Sequence, residues 1–119
     1  MTTHDWPQTA GAFSEALKPL RAGAGEPMKA FSALARAALE PKALDTQTKE
    51  LIALAIAVAT RCDACIAFHA EAAVRLGASR EAVLETMGMA IYMGAGPSVM
   101  YAAQALEAFD QFAERRDTR

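Results

Sequence analysis

Two cysteines, a histidine and a glutamate in the stretch KELIALAIAVATRCDACIAFHA, residues 49 to 70, are the side chains that thiol chemistry requires. Cys62 and Cys65 are three residues apart. At the start of a helix their α-carbons would lie about 5 Å from each other, a separation a disulfide tolerates. The pair could then form and break an S–S bond with little backbone motion. Unpaired amides and the macrodipole at a helix N-terminus favour a thiolate, and Arg61 adds a neighbouring positive charge. His69 follows Cys65 by four residues, so its ring falls on the same helical face one turn on, within reach of that sulfur directly or through one water. Glu50 precedes Cys62 by twelve residues. It meets His69 only if the chain turns back near residues 60 to 63 and two helices pack together. The carboxylate would then orient the imidazole, giving a nucleophile, a base and an orienter.

The same residues admit two other readings. A closed structural zinc site uses four ligands; C-x2-C-x3-H supplies three, and Glu50 could be the fourth. Buried free cysteines also pack as small apolar residues, and a glutamate early in a helix commonly complements the dipole from solvent. The expected compartment favours redox chemistry. The N-terminal MTTHDWPQTAGAF has no basic segment followed by an apolar run, so it does not read as a secretory signal, and a cytoplasmic location is expected. In a reducing compartment a C-x-x-C pair is more often catalytic or metal-binding than a permanent crosslink.

Helices must position these groups. Alanine is abundant, prolines stand at boundaries and no run of alternating β-branched residues occurs, so the predicted class is all-α. A first helix is expected from about Gln8 to Leu20, ending in the loop RAGAGEP, with His4 on a mobile terminus and Trp6 covering an apolar edge. Pro27 suits the first turn of a second helix that Pro41 stops. Asp45 or Thr46 can cap a third, running to about Arg61. Its residues Leu51, Leu54, Ile56 and Val58 spread apolar surface around much of the circumference, which makes it central. Asp63 can cap a fourth that stops at Gly77, and Ser79 a fifth that loosens at MGAGP, where Pro97 opens a sixth.

With 119 residues the chain is expected to form a single domain over 1–119 with a core of its own. Twelve basic against fourteen acidic side chains leave it nearly neutral, and its one basic cluster is Arg115 and Arg116, so neither nucleic acid nor an anionic membrane is an expected partner. The nine-residue apolar run from Leu51 to Ala59 is far shorter than the roughly 20 residues that span a bilayer. Hydrophobic residues make up 53% of the chain, and Met87, Met89, Met93 and Met100 cluster with Tyr92 and Tyr101. That is more apolar surface than one small domain hides, and it predicts a homo-oligomer. No P-loop, G-x-S-x-G or H-E-x-x-H occurs, which leaves nucleotide and hydrolase functions without support.

From about Phe31 to Ala103 the sequence resembles the AhpD-like alkylhydroperoxidases of the carboxymuconolactone decarboxylase superfamily. The resemblance rests on TKELIALAIAVATRCDACIAFHAEAAVRLGAS, with its E-x11-C-x2-C-x3-H spacing, and on EAVLETMGMAIYMGAGP. It implies an oligomeric helical bundle of about six helices, assembled as a trimer or hexamer. It also implies a thiol peroxidase or disulfide reductase with no bound cofactor or metal. By resemblance Cys65 becomes the sulfenic acid, Cys62 the proton donor and resolving thiol, and Glu50 and His69 the proton relay. The substrate would be a small hydroperoxide and the reductant an external dithiol, either a lipoyl or a thioredoxin-like protein. The best-known AhpD relay has a histidine immediately before the second cysteine, where this chain has Ala64. Two functions of other classes stand beside this one: a lyase of the carboxymuconolactone decarboxylase type, and a non-enzymatic redox-sensing or metal-binding module.

Overall fold

The computed structural model describes residues 1–117 and is all-helical over them. Its helices are α1 (Trp6–Gly23), α2 (Gly25–Leu39), α3 (Thr46–Ala59), α4 (Asp63–Arg75) and α5 (Arg80–Asp117). The expectation of about six becomes five because the expected fifth and sixth helices run end to end as α5, with a kink between them. That break falls inside MGAGP, as the sequence predicts: Ala95 has φ 63° and ψ −158°, and Pro97 stands in the first turn beyond it. Gly94 is required there, since a Cβ at its position would lie 2.0 Å from the Ser98 hydroxyl oxygen and 3.8 Å from Cβ of Ala59. The break in α5 is thus seated against the end of α3.

Helices α3, α4 and α5 pack most extensively against one another. Leu54 and Val58 from α3, Ile66 from α4 and Val83 from α5 are fully buried among them. Asp45 caps α3, accepting from the Thr48 amide at 2.7 Å. This contact with Thr48 holds its carboxyl below the ordinary range. The Ser79 hydroxyl accepts from the Ala82 amide at 3.0 Å at the head of α5. At the end of α4, Gly77 takes φ 79°, with Gly77 N–H on the Val74 carbonyl and Ala78 N–H on that of Ala73, the left-handed stop expected there.

The N-terminus departs from expectation. Asp5 caps α1 by accepting from the Gln8 amide at 3.1 Å and Pro7 sits in the first turn, so the helix begins at Trp6, not near Gln8. It also continues through Pro19 to Gly23. The predicted loop RAGAGEP shrinks to the single linking residue Ala24, because Gly23 and Gly25 adopt helical geometry and Pro27 occupies a first-turn position where no amide is needed. Trp6 does not cover an edge but is fully buried in the core. The terminus is tied down: the Glu107 carboxylate accepts from the Thr3 amide and hydroxyl, from the His4 amide at 3.3 Å and from Trp6 Nε1 at 2.8 Å. Gln111 accepts from the Trp6 amide at 2.7 Å and donates to the His4 carbonyl at 2.8 Å.

Burial works against a charge on Glu107, but the donors on Thr3, Trp6 and His4 outweigh it and hold the carboxyl below the ordinary glutamate range. A folded value below the unfolded one gives a stabilisation that is complete above the unfolded value, about 4.3, and is lost as pH falls through the lower folded value. Trp6 is the only tryptophan and reports this directly. Its emission is expected to shift to the red on acidification below about pH 4.3 as the strap detaches. In Glu107→Gln, which has no charge to lose, that acid step should disappear.

Candidate active site

The bend that brings Glu50 to His69 is built at the end of α3. Arg61 takes φ 59°, Arg61 N–H donates to the Val58 carbonyl at 3.2 Å and Cys62 N–H to that of Ala57 at 3.1 Å. This is the left-handed helix stop usually made by glycine, here made by an exposed arginine. The chain reverses in three residues, and α4 returns along α3.

Cys62, not Asp63 as expected, is the N-cap of α4, and its sulfur accepts from the Cys65 amide at 3.2 Å. Sulfur can serve there because the cap requires only an acceptor facing the first-turn amides; Asp63 moves to the first helical position and adds its charge to the positive end of the dipole. Cys62 and Cys65 are joined by an intramolecular disulfide, with α-carbons 5.2 Å apart. Both are half-buried. The three-residue spacing thus sets the α-carbons at the separation expected for a disulfide.

One turn on, His69 Nδ1 lies 2.6 Å from Glu50 Oε1, with the glutamate side chain 6% exposed and the histidine 33%. A buried carboxylate accepting from the ring requires Nδ1 to carry the hydrogen, which leaves the Nε2 lone pair as the basic atom. Glu50 is therefore not the solvated first-turn residue that its position alone suggests. Its carboxylate is committed to His69, which takes up the group that a zinc reading needs as fourth ligand. Among the described residues, no three His, Cys, Asp or Glu side chains are arranged to hold a metal ion.

A cleft of about 430 Å³ lies elsewhere, between the C-terminal parts of α4 and α5, lined by Glu71, Val74, Arg75, Phe112, Arg115 and Arg116. It includes neither cysteine nor His69. The cysteine pair is singled out by its chemistry and not by the depth of a cavity.

One neighbour of the cysteine pair has no counterpart among the residues expected from the sequence. His4 stacks obliquely on Trp6, with ring centroids 4.6 Å apart, and its Nε2 lies 3.7 Å from the Asp63 carboxylate beside the disulfide. Asp5 and Pro7, a cap and a first-turn proline, signal a helix start at Trp6, but no local pattern signals that His4 meets Asp63.

Residues 25–108 match the model of the carboxymuconolactone decarboxylase family. The chain belongs to this family. Among solved structures, it is similar to a carboxymuconolactone decarboxylase family protein from Legionella pneumophila, at 51% identity and a TM-score of 0.88, covering 91% of this chain and 96% of that one. A carboxymuconolactone decarboxylase family protein from Thermotoga maritima, for which a part in the antioxidative response has been suggested, aligns at 29% identity with a TM-score of 0.78, covering 90% and 94%. An uncharacterized protein from Cupriavidus necator is 45% identical over 83 residues, 70% of this chain and 74% of its own length. Membership fits the helical bundle and its AhpD-like fold. Among the described residues, no helix is long and apolar enough to cross a membrane.

Proposed function

We propose that this carboxymuconolactone decarboxylase family protein is an antioxidant thiol peroxidase of the alkylhydroperoxidase type, cycling through the Cys62–Cys65 disulfide. The observation that carries the reading is the disulfide-bonded pair at the head of α4, followed one turn on by His69 bound to the buried Glu50. The antioxidative part suggested for the Thermotoga relative agrees with it. In the first step the Cys65 thiolate attacks the terminal oxygen of a hydroperoxide. The O–O bond breaks, the alcohol leaves with a proton delivered by Cys62 and the relay of His69 and Glu50, and Cys65 becomes a sulfenic acid. Cys62, now a thiolate, attacks Cys65 sulfur; the S–S bond forms, the S–O bond breaks, and hydroxide leaves as water with the proton that His69 took from the Cys65 thiol. A dithiol donor, a lipoyl or thioredoxin-like protein, restores the two thiols by supplying two electrons and two protons.

The deciding experiment is peroxide consumption with a dithiol reductant. Sustained turnover by the wild type, at most one turnover in Cys62→Ser and none in Cys65→Ser supports the reading. Release of carbon dioxide from a lactone acid by a variant lacking both thiols would instead establish the lyase chemistry for which the family is named. Stoichiometric zinc in the purified protein would establish a metal-binding module.

The same reading includes assembly as a trimer or hexamer. Helix α2 has no buried residue, and it carries Phe31 and Leu34 on the surface. The methionine cluster divides: Met87 packs in the core, whereas Met89, Met93 and Met100, with Tyr92, face outward. Covering these residues with a second copy removes them from water at about 25 cal/mol per Å². Light scattering at micromolar concentration should give a mass at least three times that of the chain; a monomer mass would refute assembly.

A further inference from the structure

The structure places a charged group beside the redox pair that the peroxidase scheme does not use. Asp63 occupies the first position of α4, next to Cys62 and two residues from Cys65. A carboxylate there disfavours a thiolate on either sulfur and so works against the helix N-terminus. Facing it is His4, whose Nε2 lies 3.7 Å from Asp63 Oδ2, with the two side chains 33% and 44% exposed.

His4 is not a surface residue that happens to drift near. Its amide donates to Glu107, its carbonyl accepts from Gln111, its ring rests on the buried Trp6, and Nδ1 lies 3.1 Å from the Thr3 hydroxyl. The charged groups near His4 are Asp63 from α4, which faces its ring, Glu107 from α5, which binds its amide, and its chain neighbour Asp5; Arg61 stands in the turn before Cys62. Glu107 is already satisfied by the backbone and indole donors of the strap, so the side-chain nitrogen facing outward is left to Asp63.

We propose that His4 is a positioning residue of the redox pair: in its protonated form it offsets the charge of Asp63, and so makes the reactive thiolate easier to form in acid. The effect passes through Asp63 and requires no contact between His4 and sulfur. It rests on the redox reading of Cys62 and Cys65, but it concerns ionisation of the thiols and not their reaction with peroxide.

The test is the rate of alkylation of the reduced full-length protein by iodoacetamide as a function of pH. That rate follows the thiolate fraction and involves no peroxide, so this inference and the peroxidase reading can fail separately. At about pH 5.5, His4→Gln should react roughly threefold more slowly than wild type, and the difference should vanish at about pH 8.5. His4→Lys should restore the rate at the lower pH and exceed wild type at the higher one. In an Asp63→Asn background, His4→Gln should have no effect at either pH. Trp6 emission confirms that the strap stays docked in each variant, and glutamine, of similar length and neutral, is chosen to keep it so; His4→Asn serves if it does not. Equal effects of His4 replacement in the wild-type and Asp63→Asn backgrounds, or no slowing in acid, would overturn the proposal.

Discussion

Cys65→Ser is expected to reduce peroxide turnover to the background of the reductant alone, and Cys62→Ser to permit one turnover and then stop. Serine at 65 leaves no sulfur where the peroxide oxygen must be attacked, and an alcohol is not ionised at neutral pH. Serine at 62 leaves the attacking thiol in place but removes the group that closes the disulfide. Two physical arguments bear on which sulfur does which. In many C-x-x-C proteins the first cysteine attacks, and here the Cys65 amide at 3.2 Å would stabilise negative charge on Cys62 sulfur. The position of the base argues the other way. His69 is four residues from Cys65 and seven from Cys62, and the additional three residues add about 4.5 Å of helical rise. A base acts within hydrogen-bond reach or through one water, so Cys65 has the better partner. In the proposed cycle the Cys65 amide would then have a different use, stabilising Cys62 as the leaving thiolate when a dithiol attacks Cys65. The measurement is peroxide consumed per chain, in the first seconds and at steady state, for the wild type and both variants.

The second large effect is expected at the pair that orients the base. His69→Ala should lower the rate of peroxide reduction by about 10²- to 10⁴-fold, the usual contribution of a positioned acid or base. It also strips the buried Glu50 carboxylate of its partner at 2.6 Å. The loss of stability should be about 1 to 3 kcal/mol, read as a lower denaturant midpoint. Glu50→Gln separates the two consequences. The amide oxygen can still accept from Nδ1, so stability should fall less, while the charge that supports a proton moving onto the ring is gone. A rate drop in Glu50→Gln with a nearly unchanged midpoint is the expected signature of a relay. If both variants lose stability but keep the wild-type rate in the remaining folded protein, the Glu50 and His69 contact is structural.

How far the sequence foretells this arrangement depends on the range of the interaction. Contacts within one helical turn are readable: the Cys62 and Cys65 spacing, the caps at Asp45 and Ser79, the stop at Gly77 and the break before Pro97 all follow from rules that act over three or four residues. Glu50 and His69 are nineteen residues apart, and their meeting hinges on Arg61, a residue type that rarely adopts φ near 59° and gives no local sign of doing so. The N-terminus shows the limit most clearly. Thr3, His4 and Trp6 are held by Glu107 and Gln111, more than a hundred residues away, and no pattern near residue 4 announces a partner near residue 107. Composition alone made RAGAGEP a loop, whereas packing made it nearly continuous helix, because glycine permits a bend without demanding one. The predicted surplus of apolar surface is visible as the outward residues of α2 and of the methionine cluster.

The most direct measurement of the central claim is trapping of the oxidised sulfur. Reduced Cys62→Ser and Cys65→Ser are each treated with one equivalent of hydroperoxide in the presence of dimedone, and the labelled residue is located by peptide mass. A dimedone adduct on Cys65 in Cys62→Ser is expected, formed faster than any adduct on Cys62 in Cys65→Ser. Labelling of Cys62 in Cys65→Ser, with Cys65 left unmodified in the other variant, would contradict it.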